Sequence, residues 1–297
     1  MDWLQIAIEA DADVEALEEA LLALGAVSVS LTNATGEQLF EPLPGETPLW
    51  ARCWVTGLFP AATEPASVLF GVQARLGLER PPRFRVETLA DRDWVRACLA
   101  DLKPMRFGRR LWICPSGHNV SEADAVVVQL DPGLAFGTGT HPSTALCLNA
   151  LDALDLAGKT VIDYGCGSGI LAVAAALLGA RHVSAVDIDP QAVQATRDNA
   201  ERNGVSARVQ AMPAAAFTPA PADLLVANIL SGPLKALAPR FAACVRPGGG
   251  LVLAGLLAAE AEDLRCAYAP WFDLPQAQIE DGWLRLSGTR RSHPAPG

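Results

Sequence analysis

Hydrophobic and polar positions change rhythm along this chain, and the changes mark out its elements. WLQIAIEA, from Trp3, places apolar side chains at every second position, the pattern of a strand with one buried face. DVEALEEALLALGA switches to helical spacing, with Val14, Leu17, Leu21 and Leu24 on one side and Gly25 as a stop. VSVSLT and ARCWVTGLF return to alternation, EPASVLFGVQARLGL predicts a second helix, and RFRVETL another strand. The β-α-β-β-α-β order predicts a split βαβ sandwich, a small α+β (ferredoxin-like) domain over residues 1–88. It carries no chemical motif, so a recognition or packing module is the expected role.

Residues 89–118 mix aromatic and basic side chains, among them Trp94, Arg96, Lys103, Arg106, Arg109, Arg110 and Trp112. An interdomain helix ending before Pro104, followed by a loop, fits this stretch. Such interleaving can also bind single-stranded nucleic acid, but an amphipathic linker is the commoner use. From Asp124 onward, in a domain over residues 119–297, the pattern becomes β-α repeating: DAVVVQL, KTVIDY, HVSAVDI, ARVQAM, ADLLVANIL and GGLVLAGLL read as strands with helices between. DPQAVQATRDNAERNG has Asp189 as its cap, Pro190 as its first residue and Gly204 as its stop. Asp281-Gly282 is a hairpin turn between two strand-like arms near the end. The fold class is therefore α/β, a doubly wound parallel sheet with one antiparallel closing strand.

Composition narrows the range of partners. Apolar residues make up 51% and charged residues 19%, enough for a full core and too few charges for a disordered chain. A formal charge of −10 opposes unaided binding to a nucleic-acid backbone and suits a basic partner. The seven cysteines include no C-x-x-C pair, so neither a disulfide framework nor a zinc site is expected. The acidic start lacks the pattern of a signal peptide. The longest apolar run, Gly169 to Ala180, is short of the ~20 residues a membrane span needs. A cytoplasmic, soluble protein is expected.

The chemistry concentrates where three apolar strands end in polar groups, because a doubly wound sheet binds ligands at the carboxyl ends of its strands. The first ending, VIDYGCGSG, spaces Gly165, Gly167 and Gly169 as G-x-G-x-G, which is neither the G-x-G-x-x-G of dinucleotide enzymes nor a Walker loop. Asp163 just before it would repel a pyrophosphate and suit a cationic ligand portion, an amine or a sulfonium. This segment resembles the first motif of class I S-adenosylmethionine-dependent methyltransferases. Asp187 closes the next strand, where a carboxylate can accept both ribose hydroxyls of an adenosine; Asp189 is the better helix cap and leaves Asp187 free for that. Nicotinamide enzymes share this device, so it supports adenosine without naming a reaction.

Asn228 ends the strand DLLVAN. Methyltransferases acting on nitrogen resemble one another here, with Asn or Asp followed by Pro-Pro-Tyr. This chain has Asn228-Ile229-Leu230-Ser231 instead, which can orient an amine but offers nothing to stack on a flat base. Upstream, Gly137, Thr138, Gly139, Thr140, Ser143 and Thr144 form a glycine- and hydroxyl-rich helix start. His141 in that loop is a candidate proton acceptor, with a structural role the commoner use of such a His.

Together, LDPGLAFGTGTHPSTALCLNALD, VIDYGCGSGILAVAAALLGA, VDIDPQAVQATRDNAERNGV and LLVANILSGPLKALAP closely resemble the ribosomal protein L11 methyltransferases of bacteria. DWVRACLADLKPMRFGRRLWICPS is similar to that family's linker. The resemblance is strong from about residue 90 to 290, and covers the N-terminal unit in size and element order. It implies a Rossmann-like catalytic sheet at 119–297 that binds S-adenosylmethionine, and no metal. It also implies that Thr144, Gly165, Asp187 and Asn228 contact the cofactor, with the Gly137–Thr140 loop closing over it. Gly167, Thr140 and Asp163 complete the candidate cofactor set, and Asn228 is the candidate catalytic residue. The implied substrate is ribosomal protein L11, methylated repeatedly on lysine side chains and its N-terminal amine and gripped by the N-terminal domain. A monomer is implied, with no direct contact to nucleic acid or membrane. Tyr164 stands where the family usually has Phe or Leu, and Gly117-His118 where an aromatic is common. The alternatives are an N-methyltransferase acting on another protein or on RNA, a nicotinamide dehydrogenase, and a non-catalytic S-adenosylmethionine-binding regulator.

Overall fold

Alternation decides which face of the N-terminal sheet is buried. The computed structural model describes residues 2–10, 13–35, 50, 52–89, 103–131, 137 and 139–292, and the chain divides into two compact units, Met1–Trp94 and Val95–Gly297. In the first unit, β1 (Trp3–Ala10), β2 (Ser28–Asn33), β3 (Cys53–Pro60) and β4 (Phe84–Leu89) form an antiparallel sheet ordered β2-β3-β1-β4. Helices α1 (Val14–Ala23) and α2 (Pro65–Leu76) cover one face. Leu4, Ile6 and Ile8 of β1 and Val55 and Phe59 of β3 point into the core, against Leu17 and Leu21 of α1 and Val68 and Val72 of α2. This is the split βαβ arrangement that the pattern predicts.

The second unit centres on seven strands ordered β10-β9-β8-β11-β12-β14-β13. β8 (Thr160–Tyr164), β9 (His182–Asp187), β10 (Val209–Pro213), β11 (Ala222–Asn228) and β12 (Val245–Leu257) run parallel. β14 (Trp283–Arg290) inserts antiparallel between β12 and β13 (Phe272–Glu280). The hairpin joining the last two turns at Asp281 and Gly282, with φ of 48° and 82°, the left-handed pair a two-residue turn requires. One face of the sheet is covered by α3 (Pro142–Ala153), α4 (Ile170–Leu177) and α5 (Pro190–Arg202). The other carries α6 (Ser231–Cys244) and α7 (Ala261–Tyr268), packed through Phe241, Tyr268 and Phe272. Among the described residues no helix is long and apolar enough to cross a membrane.

Three helices end in glycine turns, two of them at the stops the sequence predicts, Gly25 and Gly204. Gly25, Gly179 and Gly204 follow α1, α4 and α5 with positive φ, and each sits in the paired carbonyl-satisfying bonds of a Schellman motif. For α5 these run from Gly204 N–H to Glu201 O at 2.9 Å and from Val205 N–H to Ala200 O at 2.9 Å. At its other end the Asp189 carboxylate accepts from Gln191 N–H at 2.8 Å, as expected of the cap.

Two strands emerge where the pattern suggests only linker and loop. β5 (Met105–Phe107) and β6 (Leu111–Cys114) form a tight hairpin, and β6 continues in parallel register with β7 (Val126–Gln129). The hairpin turn is pinned to α3: Gly108 N–H donates to Asn149 Oδ1 at 2.7 Å, and Arg109 N–H to Asp152 Oδ2 at 2.6 Å. Strands this short show little periodicity, and their stability comes from that long-range pinning. The predicted interdomain helix lies outside the described residues over 90–102.

The glycines differ sharply in what a side chain would meet. At Gly169, φ +79°, a Cβ would lie 2.8 Å from the Thr196 side chain and 2.9 Å from its Cα. At Gly204, φ +66°, it would meet nothing within 4 Å. Gly169→Ala is therefore expected to lower unfolding free energy by about 2–5 kcal/mol, combining left-handed strain with overpacking. Gly204→Ala should cost about 1 kcal/mol. Urea denaturation of both variants checks the difference; equal losses would contradict the packing argument.

Candidate active site

Strand order reverses between β8 and β11, and the crevice this opens at their carboxyl ends receives the polar groups singled out in the sequence. The turn after β8 is tied to β9: Gly165 and Cys166 N–H groups both donate to Val186 O, at 2.7 and 3.1 Å. Further along, Thr196 Oγ1 donates to Gly167 O at 3.1 Å and Asn199 Nδ2 to Ser168 O at 2.8 Å, both from α5. Two of the three glycines are required by protein neighbours. Gly169 faces Thr196, and a Cβ on Gly165 would sit 2.1 Å from Cγ2 of Ile229. The turn is thus held in shape by packing before any ligand arrives.

Asp187 is already engaged. Its Oδ2 accepts from Gly167 N–H at 2.9 Å and its Oδ1 from Asp189 N–H at 3.0 Å. Asp189 does cap α5, but Asp187 is not thereby freed; it braces the glycine turn and its own loop. A carboxylate has about four lone-pair positions, so roughly two remain for ribose hydroxyls.

Asp163 lies beneath the turn with no exposed surface. Its Oδ2 accepts from Ala172 N–H in the first turn of α4 at 2.9 Å, while the buried Oδ1 has no partner. Burial pushes the carboxyl up to about 7, opposed by the Ala172 hydrogen bond and aided by the negative charge of Asp187. A positive group reaching this point would relieve the desolvation that raises it.

Asn228 closes β11 half-buried. Its Nδ2 donates to Thr144 Oγ1 at 3.2 Å, and its Oδ1 is buried with no partner. Thr144 is 1% exposed in the first turn of α3, fixed there by its N–H donating to His141 O at 3.0 Å. His141 caps this helix, Nδ1 accepting from Ser143 N–H at 3.3 Å, and burial lowers its pKa. The imidazole edge meets the ring of Trp283 with centroids 4.5 Å apart. The glycine-rich loop reaches the β8 turn through Ser168 Oγ, which donates to Gly137 O at 2.6 Å. Thr140 is exposed at the loop's end, and Thr138 lies outside the described residues.

The structure therefore brings Asp163, Gly165, Gly167, Asp187, Asn228 and Thr144 to one crevice. Gly255, which packs against Ile229, Glu260, which bonds Ser231, and Trp283, which meets His141, were not singled out from sequence. An isolated glycine inside the strand pattern LVLAGLL was the available signal for Gly255. Nothing comparable marks Glu260 or Trp283.

The acceptors present fit an adenosine ligand bearing a positive centre: open positions on Asp187, and an unsatisfied carboxylate oxygen on Asp163. The strand order and this site define a class I S-adenosylmethionine-dependent methyltransferase. Comparison with known proteins goes further. The pattern described as "Ribosomal protein L11 methyltransferase (PrmA)" matches residues 2–291. The "Ribosomal protein L11 methyltransferase" of Pseudomonas aeruginosa strain LESB58 is 51% identical over 98% of this chain and 100% of its own. That of Aeromonas salmonicida is 50% identical over 98% and 99%. A crystal structure of "ribosomal protein L11 methylase" from Lactobacillus delbrueckii subsp. bulgaricus superposes with TM-score 0.59 and 31% identity, covering 64% of this chain and 100% of that one. The chain belongs to the ribosomal protein L11 methyltransferase family.

The raised carboxyl of Asp163 has two consequences of opposite setting. In the unliganded protein the folded state holds an extra proton above the ordinary carboxylate pKa, so its stabilisation fades as pH rises through about 7. A cationic ligand reverses this by favouring the ionised form, so binding should release a proton below that pH. Calorimetric titration of S-adenosylmethionine at pH 6, in buffers of different protonation enthalpy, should show net release that Asp163→Asn abolishes. Equal proton balance in the two proteins would contradict the assignment.

Proposed function

We propose that this chain transfers methyl groups from S-adenosylmethionine to amines of ribosomal protein L11, on lysine side chains and the N-terminus. The observation that carries the reading is the partnerless buried Oδ1 of Asn228, whose amide is held by Thr144 at the end of β11 in a member of this family. When bound, S-adenosylmethionine supplies a methyl group activated by its sulfonium. The chain's own residues bind, aim and desolvate. Asp187 holds the turn and offers acceptors to ribose hydroxyls, Gly165 and Gly167 keep that surface low, and Asp163 contributes negative charge beneath it. Thr144, the Gly137–Thr140 loop and Asn228 complete the cofactor's surroundings in this reading.

Asn228 Oδ1 would accept a hydrogen bond from the incoming amine and direct its lone pair. Orientation of this kind supplies a large part of a displacement's rate. A free lysine is neutral in only about one molecule in 2,500 at pH 7. Burial and a neighbouring positive centre both lower its pKa. His141 contributes little to that step, since its Nδ1 is committed to the helix cap. The net charge of −10 steers a basic ribosomal substrate towards the enzyme without choosing its residues.

Residues 1–88 serve as the recognition domain, 89–118 as the connection and 119–297 as the catalytic domain. A ribosomal substrate supports a cytoplasmic location.

Incubation with isotopically labelled donor and purified L11, followed by mass spectrometry, should find methyl groups on its amines. Label appearing only on RNA or on another protein would overturn the substrate assignment. Asn228→Ala should lower kcat about 100-fold while cofactor affinity stays within about threefold. Parallel loss of both would show that Asn228 serves the cofactor alone and does not orient the amine.

A further inference from the structure

The segment that carries Asn228 contains no proline, so nothing in its own covalent structure fixes its backbone angles. It is nevertheless held by side chains or close packing from other elements at three of its four residues, and the Leu230 carbonyl accepts from Leu234 N–H of α6 at 3.1 Å. Asn228 is bound through its side chain to Thr144. Ile229 lies between two glycines from different elements: Gly165 would strike its Cγ2 at 2.1 Å if it bore a Cβ, and Gly255 would strike its backbone O at 2.5 Å, C at 2.9 Å and N at 2.9 Å. Ser231, 2% exposed, donates its hydroxyl to Glu260 Oε1, and the other oxygen of Glu260 accepts from Leu257 N–H at 2.8 Å. Only Leu230 in this stretch is substantially exposed.

Gly255 owes its place to a bulge in β12. Ladder pairing between β11 and β12 ends at Asn228 and Ala254, one residue before it. Between Leu253 and Leu256 the register against β14 slips: three steps along β12 match two along β14. The extra residue bends β12, and Gly255 absorbs the bend with φ +87°. Its missing side chain is the space into which the Ile229 backbone settles. Glu260, a few residues later, then carries the end of β12 across to the first turn of α6.

We propose that Gly255 and Glu260 are positioning residues for the methyl-accepting amine, acting by clamping the Asn228–Ser231 backbone so that Asn228 Oδ1 keeps a fixed aim. This rests on the reading of Asn228 as the amine-orienting group. The clamp supplies from outside the chain segment the stiffness that consecutive prolines would supply from within. A side chain at Gly255 must displace the Ile229 backbone, and displacement on the order of 1 Å at a reacting group costs roughly 100-fold in rate. Glu260 acts at longer range through Ser231, so its removal loosens the segment rather than shifting it.

The test is a set of variants, Gly255→Ala, Glu260→Ala and Glu260→Gln, beside Asn228→Ala. Each is measured for kcat and KM with L11, for S-adenosylhomocysteine affinity by calorimetry, and for hydrogen exchange at residues 229–234. All assays run below the thermal transition of the weakest variant. Gly255→Ala should lose about 100-fold in kcat with S-adenosylhomocysteine affinity within about threefold. Glu260→Ala should lose about tenfold in kcat with faster exchange at residues 229–234, and Glu260→Gln should recover most of both, because an amide oxygen still accepts from Leu257 N–H or Ser231. Undiminished kcat in Gly255→Ala, or equal losses of kcat and affinity, overturns the clamp. So does a Glu260→Gln no better than Glu260→Ala. If Asn228→Ala itself keeps its kcat, the reading of Asn228 fails first; if only the clamp variants behave as wild type, the clamp alone fails.

Discussion

A hydrogen bond from Asn228 Nδ2 to Thr144 Oγ1 ties the end of β11 to the start of α3 across the crevice. Asn228 stands at the end of a central strand, and Thr144 at the start of a helix 84 positions away in sequence. One N–H of its amide donates to Thr144, which fixes the side chain, and its carbonyl oxygen is left buried and without a partner. A buried acceptor without a partner costs free energy in the unliganded protein. That cost becomes an advantage only when a donor arrives, and an amine is such a donor.

Around this bond the site is prepared by protein–protein contacts. The glycine turn is bound to β9, α5 and the loop before α3, and its tightest approaches are to Thr196 and Ile229. Asp187 is spent partly on holding Gly167. Preorganisation of this kind moves the ordering cost from the moment of binding to the moment of folding. Two carboxylates, Asp163 and Asp187, serve it differently. Asp187 remains a partly satisfied acceptor at the rim, while Asp163, fully buried under the N-terminus of α4, has its ionisation coupled to whatever charge lies above it.

Much of this could be read from the sequence, and for physical reasons. Strands that end in Asp, Asn or a glycine turn in a doubly wound sheet converge at one crevice whatever their separation, so the spacing of VIDYGCGSG, VDID and VAN was enough to assemble it. Helix ends were equally legible, because Gly25 and Gly204 meet a local backbone requirement. The hairpin of β5 and β6 was not, since three- and four-residue strands depend on distant partners, Asn149 and Asp152, that no local pattern announces. Nor was the purpose of the glycines: G-x-G-x-G suggests room for a ligand, whereas Gly165 and Gly169 make room for Ile229 and Thr196. The contacts of Ser231 with Glu260, and of Ile229 with Gly255, join elements about 30 residues apart and leave no periodic trace.

The central claim is that Thr144 serves the reaction by holding the Asn228 amide. A double-mutant cycle on kcat with Thr144→Val and Asn228→Ala tests it most directly, valine keeping the shape of threonine without its hydroxyl. If the two residues act as one unit, Thr144→Val lowers kcat in the wild-type background and has no further effect once Asn228 is alanine. Losses that simply add would show that Thr144 acts independently of Asn228 and would contradict the account.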